Sequence, residues 1–318
     1  MNKQFSFNET IQNWEKISQK TLERTDGTLF LFDKQTGEPV EAEIVFLYST
    51  RIYSGLLCRG IVKIGQKYGC ILVEFSTDCK QVFFEADNTL TEMKSYNKKV
   101  TEIVKDMDED CRYSEAINIG GIFEPDSMKI LVKQYHAMQR RNNNPDIPYT
   151  EHLHGVASVL KTIAENYNEI PKSVLEFMLQ AALGHDLLED TAIEEDTIDR
   201  MQDYEVLQLI RELTNPNDDA HTDEYMAQIA SASEEARLIK YADLIENTTS
   251  FCYSLHEPNI ENPIQRAKAF YLPILFRTTD VLAGTAFCQY PQTAQAMRMV
   301  LSVYTNLLLD RLGLEERE

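Results

Sequence analysis

The chain has no surplus of basic residues: lysine and arginine number 31 against 51 aspartates and glutamates, a net charge of −20 over 318 residues. A diffuse acidic surface works against nonspecific DNA or RNA binding, because phosphate backbones need a basic footprint. It leaves room for a small phosphorylated substrate, which needs only a local basic pocket, and most of the excess carboxylates read as solubility. No stretch approaches about 18 apolar residues, so no membrane span is expected. The opening MNKQFSFNETIQNWEK lacks a basic stretch followed by an apolar one, so no secretory signal is expected. The six cysteines, at 58, 70, 79, 111, 252 and 288, contain no C-x-x-C pair, and the expectation is free thiols in a reducing cytosol, hence a cytoplasmic protein. Internal repeats and low-complexity tracts are also missing. What is present, 43% hydrophobic and 26% charged residues, is the composition of a globular protein, long enough for two domains.

The pattern changes along the chain and predicts an α+β protein with two domains, 1–125 and 126–318. After a short helical start, strand signals cover 28–32, 41–48, 57–64, 69–75 and 81–85, separated by turn-like stretches at 33–39, 65–67 and 78–80. A small antiparallel sheet of unknown role is expected. The run Asp106-Met107-Asp108-Glu109-Asp110 reads as an exposed acidic connection, and Gly120-Gly121 with Pro125 marks a boundary. Beyond it the periodicity is helical over 128–142, 150–167, 194–213, 221–231, 233–248, 263–283 (interrupted at Pro273) and 292–312. A further helix opens at Pro171-Lys172-Ser173. The last amphipathic segment, with Met297, Val300, Leu301, Val303, Tyr304, Leu307 and Leu308, is read first as core and second as a subunit interface, and the N-terminal sheet as a regulatory, partner-binding or oligomerising module, so a homo-oligomer is an open possibility through either.

Chemistry concentrates in His185-Asp186-Leu187-Leu188-Glu189-Asp190-Thr191. Val174, Phe177, Met178, Ala181 and Ala182 lead into it in steps of three and four, which places His185 on the apolar face. Imidazole and carboxylates at such a position are costly unless something pairs with them. On one continuous helix, Glu189 and Asp190 would share a side with His185 and Asp186. Two other apolar stripes carry polar groups. His152 lies with Val156, Val159, Leu160 and Ile163, while His154 points outward as a surface histidine. Asp243 lies with Ala236, Ile239 and Glu246 and needs a partner, either Lys240 or a metal. Together His152, His185, Asp186 and Asp243 form a donor set suited to Mn²⁺, Fe²⁺, Zn²⁺ or a similar divalent ion.

These segments, in order, resemble a known family. His136-Ala137-Met138-Gln139-Arg140-Arg141, Pro148-Tyr149-Thr150-Glu151-His152, the run from His185 to Thr191, and Ile239-Lys240-Tyr241-Ala242-Asp243-Leu244-Ile245-Glu246-Asn247 are similar to four stretches. These are the H-x-G-Q-x-R, P-Y-x-x-H, H-D-x-x-E-D-T and I-K-x-A-D-x-x-x-N stretches of HD-domain phosphohydrolases, and more closely of the alarmone hydrolase branch of the RelA/SpoT family. The resemblance covers roughly residues 127–250. It implies an all-α HD-type hydrolase domain that holds Mn²⁺ with His152, His185, Asp186 and Asp243. Glu189 and Asp190 would assist water attack on the 3′-pyrophosphate of a guanosine polyphosphate (ppGpp, pppGpp, or an analogue such as ppApp). Arg141, with Arg140 beside it, Lys240 and Asn247 would lie near the nucleotide. His136 either contacts phosphate or orients a ligand helix, and Lys240 either meets the nucleotide or neutralises Asp243 or Glu246. No synthetase motif is present.

The chain departs from the pattern in places. Met138 replaces glycine, Asn142 stands where a second basic residue is common, the loop through Pro145 is longer, Leu153 replaces proline, and Leu244-Ile245-Glu246 replaces R-L-H. The first three fall where base recognition is expected and bear on the base more than on the metal. The segment from Asn215 to Thr222 reads either as a mobile loop near substrate or as a polar connection. Two rival functions stand beside alarmone hydrolysis: an HD nucleotidase or nucleoside triphosphate hydrolase, and a non-catalytic nucleotide sensor.

Overall fold

The computed structural model describes residues 28–33, 39–52, 55–64, 67–76, 80–86, 89–95, 127–141, 144–215, 222–255 and 262–314. The expected helical start, the acidic connection at 106–110, the Gly-Gly boundary, Asn142, and the middle of the 215–222 segment lie outside the described residues. The chain divides into two compact units, with residues 8–126 in one and 127–318 in the other. No helix among the described residues is long and apolar enough to cross a membrane.

The first unit is built from six strands: β1 (Thr28–Asp33), β2 (Pro39–Ile52), β3 (Gly55–Ile64), β4 (Lys67–Ser76), β5 (Lys80–Ala86) and β6 (Thr89–Ser95). Each pairs antiparallel with the next, and β6 returns to β1 (Leu31 opposite Ser95, Asp33 opposite Met93), so the expected sheet is a closed barrel. Strand β6 was not foreseen, because Thr89-Leu90-Thr91-Glu92-Met93 is too polar to announce itself as a strand. Closure removes both sheet edges, which would otherwise offer unpaired backbone groups. The register of β2 shifts between Ile44 and Phe46, a bulge that bends this 14-residue strand around the barrel.

Among its described residues the second unit is helical apart from one hairpin. Its helices are α1 (Ser127–Tyr135), α2 (Thr150–Tyr167), α3 (Lys172–Gly184), α4 (Leu187–Asp190), α5 (Glu195–Met201), α6 (Tyr204–Leu213), α7 (Asp223–Ser231), α8 (Glu234–Ser254), α9 (Pro263–Arg266), α10 (Leu272–Ala283) and α11 (Pro291–Arg311). Helix α8 is the central element. Leu238, Ile239, Tyr241, Ala242, Leu244 and Ile245 are all buried, on every side of the helix, and it packs against α2, α3, α6 and α11. A helix apolar all round belongs in a core. Its start is set by Ser233, whose hydroxyl accepts from the Ala236 amide at 3.2 Å. Helix α2 ends on Asn168 at φ 52°, a left-handed cap that asparagine tolerates.

Three sequence expectations are corrected. Residues 128–142 are not one helix: α1 stops at Tyr135, and β7 (Arg140–Arg141) pairs with β8 (Asn144–Pro148). Pro145 and Pro148 disfavour helical backbone in the residues before them, which turns this stretch into a hairpin. The 194–213 segment splits into α5 and α6, with Gln202 and Asp203 extended between them. The break expected at Pro273 is a π-helical turn, Ala267–Tyr271, just upstream. Widening the turn there accommodates a ring that has no N–H to donate to the preceding turn.

The close approach of α3 to its neighbours depends on Gly184. A Cβ there would fall 2.5 Å from the Met128 sulfur and 3.1 Å from Ile210 Cδ1, both buried. Gly184→Val is expected to cost about 1–3 kcal/mol through overpacking. A lowered urea midpoint at unchanged slope is the expected reading, and an unchanged midpoint would show that the contact is not tight.

Candidate metal centre

Three separate segments deliver the candidate ligands. His152 comes from the first turn of α2, His185 and Asp186 from the junction of α3 and α4, and Asp243 from the middle of α8. The His185–Asp190 run is not one continuous helix, as periodicity suggested. Helix α3 ends at Gly184, and Asp186 adopts φ −96°, ψ 0°, the bridge region, before α4 begins. That kink lets adjacent residues His185 and Asp186 face one point, which a straight helix would prevent by placing them about 100° apart.

The donor atoms converge. Single ligand atoms of His152, His185 and Asp243 lie within 4.8 Å of one another. His152 Nε2 is 3.2 Å from Asp243 Oδ1 and 3.6 Å from Asp186 Oδ2. His185 Nε2 is 3.2 Å from Asp186 Oδ1 and 3.7 Å from Asp243 Oδ1. Both imidazoles are held from behind. His152 Nδ1 meets Glu246 Oε2 at 2.5 Å, and His185 Nδ1 meets the Ala182 carbonyl at 2.8 Å. An Nδ1–H donated to an oxygen leaves Nε2 with its lone pair toward the cluster, the arrangement of metal-ligating histidines. His185 Nε2 is buried and makes no hydrogen bond. An orphaned ring nitrogen beside carboxylate oxygens fits a divalent cation better than an all-protein network does.

Charge is balanced locally. Burial would raise the carboxyls of Asp243 and Asp186, but opposing charges outweigh it: Lys240 with both histidines for Asp243, and His185 with His152 for Asp186. Both acids sit below the usual carboxylate range, Asp243 well below it. Lys240 Nζ donates to Asp243 Oδ2 at 2.8 Å and lies over the Tyr225 ring. Burial lowers the pKa of His185, yet Asp186 and Asp243 raise it to about 9, and the histidine at 152 is raised by Glu246 and Asp243 against burial and Arg141.

Glu189 and Asp190 follow on α4, both exposed, and their carboxyls shift the other way. Partial desolvation and the charge of Asp186 raise both. Glu189 Oε2 accepts from the Asn215 amide at 3.0 Å, which ties the start of the 215–222 segment to this carboxylate. Pairs of acids pushed in opposite directions mark distinct chemical roles: Asp186 and Asp243 stay anionic, whereas Glu189 and Asp190 can take up a proton.

The remaining sequence-selected residues divide. Arg141 is buried and donates from Nη2 to Glu246 Oε2 at 3.0 Å and Asn247 Oδ1 at 2.9 Å. Asn247 Nδ2 in turn donates to Asp243 Oδ1 at 2.6 Å. Lys240, Asn247 and Arg141 thus all join the cluster. Arg140 does not: it is exposed, and its guanidinium returns to the Ala137 and Gln139 carbonyls. His136 is buried, stacks on Tyr149 at 5.1 Å, and meets Gln139 Oε1 at 2.5 Å, while Gln139 Nε2 donates to the Asp190 carbonyl at 2.7 Å. Those are the contacts of a residue that orients the site. His154, expected outside, is half-buried.

Sequence reasoning gave Tyr149 no role and placed Glu246 only on the face of Asp243, as a possible partner of Lys240. The Tyr149 hydroxyl donates to Asp186 Oδ2 at 2.7 Å, its ring lies between His136 and His152, and burial followed by Asp186 raises its pKa well above the ordinary value. Spacing could have found both. Tyr149 precedes a ligand by three, and Glu246 follows one by three on α8.

No known family profile matches the chain. A guanosine-3′,5′-bis(diphosphate) 3′-pyrophosphohydrolase of Drosophila melanogaster, MESH1, is 30% identical over 115 residues, 35% of this chain and 60% of that protein. The chain is similar to this guanosine-3′,5′-bis(diphosphate) 3′-pyrophosphohydrolase. The chain therefore spans 60% of the length of the relative it matches. A solved structure described as a metazoan ortholog of SpoT that hydrolyses ppGpp and plays a role in starvation responses aligns with a TM-score of 0.45 at 22% identity. That alignment covers 61% of this chain and all of the other.

The raised histidines set a pH dependence. Metal ligation requires neutral imidazole, so cation affinity should climb as pH rises from 6.5 toward about 9, with protons released on binding. Calorimetry in buffers of different ionisation enthalpy measures that release, and none across this range would rule the cluster out as the site. In metal-free protein the same ion pairs stabilise the fold fully below 6.5 and are lost as pH passes about 9.

Proposed function

We propose that this chain is a divalent-metal-dependent hydrolase that removes the 3′-pyrophosphate of guanosine polyphosphate alarmones, ppGpp or pppGpp, or of a close analogue such as ppApp. The observation that carries the reading is the convergence of His152, His185, Asp186 and Asp243, two imidazoles and two anionic carboxylates, beside two acids whose carboxyls are raised. The similarity to MESH1 supports the substrate class. Mn²⁺ suits the mixed nitrogen and oxygen donors, and such an ion supplies Lewis-acid polarisation of phosphate oxygen and acidification of water.

The chain's own groups then divide the work. The four ligands fix the centre, and Tyr149 holds the second oxygen of Asp186. Glu189, with its raised carboxyl, accepts the proton of the attacking water, and Asp190 orients that water. Water oxygen bonds to the phosphorus nearest the ribose, the bond from that phosphorus to the 3′-oxygen breaks, and pyrophosphate leaves. The 3′-oxygen takes up a proton to become a hydroxyl. Arg141 and Lys240 offset the charge of the pyrophosphate. The substrate is a small phosphorylated nucleotide, in keeping with a net charge of −20 that disfavours nucleic acid. The barrel is proposed as an accessory unit, and the protein as one that acts off the membrane, in the cytoplasm.

Purified protein with Mn²⁺ is expected to release pyrophosphate from guanosine or adenosine 3′-pyrophosphates and to leave nucleoside triphosphates and monophosphates intact. Turnover confined to triphosphates or monophosphates would make it a nucleotidase-type enzyme, and tight nucleotide binding without turnover would make it a sensor. Glu189→Gln should lower kcat by about 10²–10⁴-fold while metal content stays at the wild-type level. Asp243→Ala should abolish both, and retention of metal in that variant would sink the ligand assignment.

A further inference from the structure

The two histidines of the cluster are oriented by different means. His185 Nδ1 is tied to a backbone carbonyl, that of Ala182 within its own helix. Local helical structure alone fixes that ring. His152 Nδ1 is tied to the Glu246 carboxylate, 94 residues away on α8. The orientation of His152 therefore depends on one side chain from another helix.

Glu246 is itself held in place. It is 3% exposed, and the oxygen that meets His152 Nδ1 also accepts from Arg141 Nη2 at 3.0 Å. Arg141 arrives from β7 and reaches Asn247 through the same nitrogen, and Asn247 bonds the ligand Asp243. On α8, then, Asp243 supplies a ligand, Glu246 at i+3 supplies the support of a second ligand, and Asn247 at i+4 supports the first. A buried ion pair such as Arg141–Glu246 adds little net stability, since desolvation offsets most of the attraction. Its effect is geometric: two donors on one oxygen leave the carboxylate a single position.

We propose that Glu246 is a positioning residue for the metal centre, holding His152 as the Nδ1–H tautomer with Nε2 toward the other ligands, and that Arg141 anchors Glu246 in that role. This rests on the reading of the cluster as a divalent-cation site.

The test uses the full chain, Mn²⁺ alone, and no nucleotide, with affinity measured by calorimetry and folding by circular dichroism and thermal melting. Glu246→Ala should bind Mn²⁺ about 10–100-fold more weakly, the usual effect of losing the support of a ligating histidine. Glu246→Gln keeps an acceptor for His152 and should recover affinity to within a few-fold of wild type. If the alanine variant does not fold, the double variant Glu246→Met with Arg141→Met removes both buried charges together and should show the same weakening. Wild-type affinity in folded Glu246→Ala or in the double variant would overturn the proposal, as would Glu246→Gln binding no better than alanine. A wild-type protein that binds no divalent cation would remove the metal-site reading and this proposal together. The expected affinity series without pyrophosphate release from any substrate would overturn only the assigned reaction.

Discussion

The carboxylate of Asp243 organises the site. It is buried on the most enclosed helix of the unit, where an unpaired anion would cost several kcal/mol. Lys240 holds one oxygen at 2.8 Å, Asn247 holds the other at 2.6 Å, and His152 and His185 face it at 3.2 and 3.7 Å. Each partner comes at a cost of its own. Lys240 is half-buried beside it, and the two imidazoles are held above their ordinary pKa. A cation of charge +2 at this point would release the protons on the histidines and leave Lys240 paired. On the proposed reading, the same atoms form a charge-paired cluster without metal and would exchange protons for a cation.

Around that centre the structure sorts acids by environment. Asp186 and Asp243 lie among cations and remain charged. Glu189 and Asp190, one helical turn further on, are partly desolvated and feel Asp186 without an equal counter-charge. The kink at Asp186 makes this separation possible, because it directs the first pair inward and leaves the second pair on the rim. His136, Gln139 and Tyr149 brace the rim from the hairpin side through contacts to the Asp190 carbonyl and the Asp186 carboxylate. The proposed activation of water and the proposed binding of metal thus fall to neighbouring residues of one short run, separated by backbone geometry.

Much of this was legible in the sequence because helical periodicity is a strong signal over long apolar segments. The stripe through Met178, Ala181 and Ala182 does bury His185, and the stripe through Ile239 does bury Asp243. Periodicity also misled. It carried a helix through 128–142, where two prolines enforce a hairpin, and it ran one helix through His185 and Asp190, where the backbone turns. In the first unit, strand signals were readable for five of the six strands, but nothing in a list of strands says whether the sheet closes. That is decided by the pairing of β1 with β6, residues roughly sixty apart in the chain.

The sequence by itself determined which residues could do chemistry and near which elements they ride: two histidines and two aspartates on or at the ends of apolar helical stripes, with Glu189 and Asp190 following in the same run. Those facts are local, set by spacing along a helix of 3.6 residues per turn. Only the tertiary structure decided that donors from α2, the α3–α4 junction and α8 meet at one point. It also decided that Arg141 faces Glu246 rather than solvent, and that Glu246 stands behind His152. Arg141 and Glu246 are 105 positions apart and Glu246 and His152 94. These pairings arise from the packing of helices against α8, which periodicity along one segment does not encode.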